Sequence, residues 1–363
     1  MTSPRAGVVY AAAALLAAVI GMTAVAQTPP ETFGEEVVVR ETSVVALPPG
    51  GGSEAPAVEA MTVTVDGLAQ RVTRVEKVLE GKRGDWHFVI YLDPRLAGAR
   101  TRFLASLALA QRAESLAAMG TVEVLVAEVT RPVLVPTDSW QRIEAALLSH
   151  ALEAKHRLAR GTLAAERPGW DLFSDRLDLL LETLEGRGTG GPRALFLPSD
   201  GLFSMAKPEE LDLIARMLAG SGWVVVPMPW TEQPNDSSAA RLTEFESWKQ
   251  GAEGRDGSAG TRRYVIDFGR VVQHLRGTAD SPRAESAEVD PQVVALQALA
   301  GPTSGLLAGR DGELRAALSS LARRWRVWFQ TAEPGDGEPR PLEVQLDGAP
   351  LEAPAWFLSP KAE

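Results

Sequence analysis

The chain has 363 residues, 45% hydrophobic and 23% charged, a globular composition long enough for about two domains. Its net charge of −10 and the lack of any basic block argue against a nucleic-acid partner, which needs a basic face. The sequence contains no cysteine, which excludes disulfides, thiolate metal sites, a cysteine nucleophile and a lipoprotein-type anchor, so stability must come from an apolar core.

At the N-terminus Arg5 precedes the apolar run "GVVYAAAALLAAVIGMTAVA", and Ala24–Ala26 offers a small-x-small site before Gln27. This is the layout of a secretory signal peptide over residues 1–26. An uncleaved anchor is the alternative, because the run is long enough to span a bilayer. Either reading places the body of the protein outside the cytoplasm, periplasmic or secreted, with no membrane association beyond that segment.

Residues 27–85 read as an N-terminal β segment. A Pro-rich polar tether (27–34) leads into "EEVVVRETSVVAL" (35–47), a strand by its β-branched alternation, and then a Gly/Pro loop. "MTVTVDGLAQRVTRVEKV" carries Asp66-Gly67 between two alternating runs, the strongest short-range hairpin signal.

From Trp86 strands and helices alternate. "HFVIYLD" is a strand ending on Asp93, and "AGARTRFLASLALAQRAESLAAM" is a long helix. "TVEVLVAEV" and "RPVLVPT" predict a hairpin, and "DSWQRIEAALLSHALEAKHRLA" and "WDLFSDRLDLLLETLE" predict helices. "PRALFLPSDG" is a strand, "KPEELDLIARMLAGSG" a helix that stops at glycine, and "WVVVPMPW" a buried strand. Residues 231–263 are polar and Gly/Ser-rich and read as a mobile insertion. "DPQVVALQALAGPTSGLLAG" predicts helix, glycine turn and short strand; "GELRAALSSLARR" predicts a last helix. Residues 323–363 predict a β-hairpin and tail packing with the N-terminal β segment. The rhythm predicts an α/β fold, a doubly wound, mostly parallel sheet with helices on both faces over 86–322, plus a small β unit from the two ends of the mature chain.

The order of motifs resembles von Willebrand factor type A domains, and more closely the exported bacterial VWFA-related proteins. "TVTVDGLAQRVTRVEKV" resembles that group's leading segment, and "HFVIYLDPRLA" its first domain strand, normally closed by Asp-x-Ser-x-Ser. "RALFLPSDG" resembles the later strand ending in Ser-Asp-Gly, "LQALAGPTSGLLAG" the helix and turn that follow, and "RWRVWFQTAEPGDGEPRPLEVQL" the closing hairpin. The resemblance covers residues 33 to about 360 and implies a von Willebrand type A-like sheet with a metal-ion-dependent adhesion site. There, carboxylates and hydroxyls hold Mg²⁺, which wants hard oxygen ligands in near-octahedral geometry.

Asp93 matches the first aspartate of that site and Asp200 the second, but Arg95 and Ala97 stand at the two serine positions. Neither ligates a cation. Trp170 follows the glycine where a threonine loop is expected, and nearby Thr162 has no basis for alignment. The site is therefore expected to have lost its metal. Two readings of Asp93 stand: an ion pair with Arg95, alone or shared with Asp200, in which the guanidinium replaces the metal's charge; or an N-cap for the helix after Pro94.

No His-Glu-x-x-His, Gly-x-Ser-x-Gly or Walker-type motif occurs, and His87, His150, His156 and His274 read as surface or boundary residues. "LARRWRVWFQ" offers a possible cation–π strip, but strand alternation with one face in the core accounts for it. The sequence contains nine tryptophans; Trp170 and Trp230 fall near the expected top of the sheet, and Trp248 in the polar insertion. The expectation is an exported, non-enzymatic module that binds protein partners and needs no cofactor, with Asp93, Arg95, Trp170, Ser199 and Asp200 as the contact rim. The alternatives are a Mg²⁺-dependent adhesion domain with a reduced Asp93/Asp200 site, or a hydrolase using that carboxylate pair.

Overall fold

The computed structural model describes residues 40–49, 54–80, 83–127, 132–159, 170–188, 191–200, 208–230, 232, 236–253, 291–331 and 337–358. The expected signal peptide (1–26), the tether, the Thr162 region and His274 lie outside them. The strands are β1 (Arg40–Ala46), β2 (Met61–Val65), β3 (Leu68–Lys77), β4 (Leu79–Glu80), β5 (Arg83–Gly84), β6 (Trp86–Leu92), β7 (Gly120–Val126), β8 (Leu134–Thr137), β9 (Arg193–Pro198), β10 (Trp223–Met228), β11 (Trp325–Thr331), β12 (Pro339–Leu346), β13 (Ala349–Pro350) and β14 (Trp356–Leu358). The helices are α1 (Ala99–Gln111), α2 (Ala113–Met119), α3 (Trp140–Ala159), α4 (Trp170–Leu184), α5 (Pro208–Gly220), α6 (Asp236–Glu253), α7 (Pro291–Ala300) and α8 (Asp311–Ala322).

These strands do not form the expected doubly wound, von Willebrand type A-like sheet with a small β unit attached. The largest sheet has seven strands and is antiparallel throughout, in the order β1-β11-β3-β2-β12-β13 with β14 also on β12. The second sheet is a smaller mixed one, β10-β9-β6-β7-β8, parallel except for β8, which runs antiparallel to β7. The physical reason is long-range pairing. Strands from both ends of the chain interleave, Arg40 opposite Thr331 and Val65 opposite Leu342, so what reads locally as two hairpins becomes the dominant sheet.

Local chemistry explains the turns of the antiparallel sheet. Asp66 and Gly67 both take positive φ, 52° and 75°, as a tight two-residue hairpin loop requires. Asp347 and Gly348 repeat this between β12 and β13, at 49° and 79°. One face of the sheet buries Val44, Ala46, Met61, Val63, Val65, Val327, Phe329, Leu342 and Val344.

In the mixed sheet, β6 is buried on both faces from Phe88 to Leu92, so that part of its sequence is continuously apolar rather than alternating. Phe88, Ile90 and Leu92 point into a core with α1, α2, α3 and α8. Val89 and Tyr91 point into another with α4, α5 and α7. The expected short strand after Gly301 is instead a 3₁₀ turn and an irregular stretch that runs along β10, Ala308 N–H donating to the Pro227 carbonyl at 3.0 Å. Part of the expected insertion is the regular helix α6, docked on α1 and α3. Among the described residues no helix is long and apolar enough to cross a membrane.

Candidate functional site

The mixed sheet fixes where a ligand would approach. From β6 the chain moves one way, to β7 and β8, and then returns across β6 to β9 and β10. The strand order thus reverses between β6 and β9, and in open α/β sheets ligands bind in the crevice outside the carboxyl ends of the strands at such a point. Asp93 follows β6, and Ser199 and Asp200 follow β9. Three of the expected rim residues therefore meet at this reversal.

Asp93 has no solvent exposure. Its Oδ1 accepts the backbone N–H of Arg95 at 2.7 Å, and its Oδ2 accepts Nε of Arg176, from α4, at 2.7 Å. Both expectations for this carboxylate need correction. Its guanidinium partner is Arg176 rather than Arg95, and it does not cap the following helix. The Arg95 side chain is exposed, and its contribution to Asp93 is the backbone N–H.

The cap of α1 comes from across the crevice. Gly98, the residue before the helix, has no side chain to offer, and Asp200 Oδ2 accepts its N–H at 2.6 Å while Oδ1 accepts the hydroxyl of Thr101. A carboxylate from a neighbouring loop thus satisfies one backbone donor that a helix start leaves unpaired, the Gly98 N–H, and places its charge at the positive end of the helix. A Cβ at residue 98 would lie 3.0 Å from Asp200 Oδ2, so glycine lets the two loops close on each other. Ser199 is fully buried; its hydroxyl donates to the Leu96 carbonyl at 3.2 Å, and Asp200 N–H donates to the same carbonyl at 3.0 Å.

Behind this network Arg102 is buried and its Nε donates to the Ala97 carbonyl at 3.0 Å. Burial, then the Arg157 charge, lowers its pKa against the pull of Glu153, Asp93 and Asp200. The backbone of Trp170 opens α4, but its side chain lies outside the described residues.

Mg²⁺ does not fit these residues. Asp93 Oδ2 is already paired with a guanidinium, both Asp200 oxygens accept donors of the chain itself, and Arg95 and Ala97 supply no oxygen where hydroxyls would be needed. Among the described residues no group of three or more His, Cys, Asp or Glu side chains comes together as a metal site would require.

Arg176 was the residue missed in the sequence. It is buried on α4 in one stripe with Leu180 and Leu184, at i, i+4 and i+8. An arginine on an otherwise apolar stripe was the available signal that a buried acid waited opposite. His150 also departs from expectation. It is buried, its Nδ1 lies 3.0 Å from the hydroxyl of Ser106, and burial, then Arg102, pushes its pKa from 6.5 down to about 4. Of the tryptophans, Trp230 is buried and donates to the Glu232 carbonyl, whereas Trp248 on α6 is 66% exposed and stacks near Phe245. Of the residues in "LARRWRVWFQ" only Arg326 and Trp328 pair in this way: Arg326, with Arg74 of β3, sits 3.9 and 4.6 Å from the Trp328 ring, whose Nε1 donates to Glu76.

No family model and no curated protein matches this chain. Among solved structures, it is similar to the TFIIH p34 N-terminal domain at 13% identity and a TM-score of 0.24, over 53% of this chain and 96% of that one.

Proposed function

We propose that this chain is a non-enzymatic binding module, related in its motif order to the exported VWFA-related proteins, that engages a protein partner at the β6–β9 crevice without a metal. The proposal includes export by the N-terminal segment, which places the binding event outside the cytoplasm. The observation that carries it is the internal pairing of the crevice carboxylates, Asp93 with Arg176 and the Arg95 N–H, Asp200 with the Gly98 N–H and the Thr101 hydroxyl. General acid–base work needs a carboxyl within reach of substrate and able to exchange a proton with it. An adhesion metal would have to displace the Arg176 guanidinium from Asp93 and find hydroxyl oxygens where Arg95 and Ala97 stand. Held as they are, these groups shape and stiffen a surface instead.

The test is thermal unfolding of the protein with Mg²⁺, Mn²⁺ or Ca²⁺ against EDTA, because anything that binds only the folded state raises Tm by mass action. The expected result is one Tm in all four conditions. A metal-dependent rise abolished by Asp93→Ala would overturn the reading in favour of a reduced adhesion site.

A further inference from the structure

We infer that α6 is a charge-latched arm, a helix held on α1 and α3 chiefly by ion pairs and hydrogen bonds and released from them as a unit when salt or a lost charge weakens those pairs. This device uses none of the crevice residues and stands whether or not the crevice binds a partner.

The inner stripe of α6 is mostly polar, where a docked helix ordinarily turns an apolar stripe to the core. At spacings of i, i+4, i+8 and i+11 it carries Ser238, Leu242, Glu246 and Lys249. Among the described side chains of the helix, Leu242 alone is a fully buried apolar group, with Phe245 partly buried beside it. The remaining contacts are polar. Gln111 of α1 donates to the Ser238 hydroxyl, and Lys249 donates to the hydroxyl of Ser149 on α3 at 3.4 Å. Arg241, 56% exposed, pairs with Glu144 of α3 at 3.0 Å.

The centre of the latch is Lys155 of α3. Its side chain is 1% exposed, and its Nζ lies 2.7 Å from Oε2 of Glu246. Lysine is almost never fully buried unless paired. Here the carboxylate comes from α6 rather than from the helix that carries the lysine. Such a pair holds an element weakly, because the cost of taking both charges out of water offsets much of their attraction, and water receives both again once the helix moves off.

The connections of α6 allow that movement. Just ahead of it Glu232 is fixed in place, its carbonyl accepting Nε1 of Trp230 at 3.1 Å and its carboxylate accepting the Asp311 N–H of α8. At its other end residues 254–290 separate α6 from α7, a length of chain that lets this end travel. The helix is tied closely at one end only, so it can swing away without drawing a strand out of either sheet.

The test is amide hydrogen exchange read by mass spectrometry on the full protein at 50 and 500 mM NaCl. Amides of α6 should exchange ahead of those of α1, α3 and β6, since a unit held by few apolar contacts opens locally. Their protection should fall about fivefold at the higher salt, where exposed charges such as Arg241 and Glu144 are screened. Glu246→Gln leaves Lys155 without that carboxylate and should lower α6 protection at least about tenfold while β6 and β9 keep the parent values. The charge-free pair Lys155→Met/Glu246→Leu should instead raise α6 protection above the parent and reduce its response to salt. Exchange of α6 in step with α3 in the parent overturns the inference, as does protection that neither salt nor Glu246→Gln alters. Loss of β6 protection together with that of α6 in Glu246→Gln also overturns it, by showing that the helix is inseparable from the core. A charge-free variant as labile as the parent removes Lys155 and Glu246 from the latch and ends the proposal.

Discussion

The Nε of Arg176 and Oδ2 of Asp93 lie 2.7 Å apart, joining α4 to the end of β6, with the carboxylate fully buried and the arginine side chain 11% exposed. Removing one member of such a pair leaves the other charge buried without its counter-ion. Arg176→Ala is therefore expected to destabilise the fold by about 3–5 kcal/mol, and the double variant Arg176→Met/Asp93→Leu to recover most of that loss. Urea unfolding of the two singles and the double decides it; a double no more stable than the worse single shows that the carboxylate does more than neutralise the arginine.

Asp200 acts as a cap supplied from outside the helix it caps. Asp200→Ala should cost about 1–2 kcal/mol, in the range of lost helix caps. In a double-mutant cycle with Thr101→Val, the two effects should fall short of additivity by at least about 0.5 kcal/mol, as expected for groups sharing one interaction. Additive losses would mean that the Thr101 hydroxyl is satisfied elsewhere.

His150 gives the fold an acid-sensitive point. Its surroundings are Ser106 and the charges of Arg102, Glu153 and Arg157, and burial holds its pKa at about 4 against the usual 6.5. The folded form thus refuses a proton that the unfolded chain accepts. Its contribution is fully present above pH 6.5 and is lost as pH falls toward 4, by about 3 kcal/mol in all. Unfolding free energies measured from pH 7 to 4.5 should show this slope in the parent and a flatter one in His150→Gln. Equal slopes would remove His150 from the account.

Arg324 is almost completely buried, and its guanidinium donates to both the hydroxyl and the carbonyl of Ser304, a residue at φ 53° that ends the 3₁₀ turn. Burial pulls its pKa down to about 10. Lysine carries the charge but not the two-pronged geometry, so Arg324→Lys should destabilise by on the order of 2–4 kcal/mol. Thermal unfolding reads this directly; a variant within experimental scatter of the parent would show that charge alone suffices.

Much of the secondary structure was legible because it was written locally. The run from Phe88 to Leu92 could only be a buried strand, and Asp66-Gly67 could only be a tight turn. Sheet architecture was not legible, because alternation identifies a strand without naming its neighbour, and β1 finds its partner in β11 at the far end of the chain. Helix α6 was hidden by polarity. It docks through Leu242 but also through Glu246 on the buried Lys155 and Arg241 on Glu144, contacts that read as solvated surface in one dimension. At the crevice, Asp93, Ser199 and Asp200 were visible as carboxyl-end residues. Of their partners, Arg176 left only the signal of a cation on an apolar stripe, which names no acid, and Thr101 left none.

The small strand β14 has a temporal consequence. It pairs with β12 in the antiparallel sheet, places Trp356 4.3 Å beneath the Arg216 guanidinium of α5, and brings the Ala355 N–H to the Pro302 carbonyl at 2.7 Å. During synthesis β6, β7 and β9 can pair among themselves as they emerge, whereas β1 must wait for β11, and the contacts of α5 and the 3₁₀ turn with β14 come later still. Until then the apolar face of β1, β2 and β3 lacks the cover that Phe357 of β14 supplies, the condition in which nascent proteins aggregate or need a chaperone. Strand β14 thus serves as the clasp that ends this exposed interval.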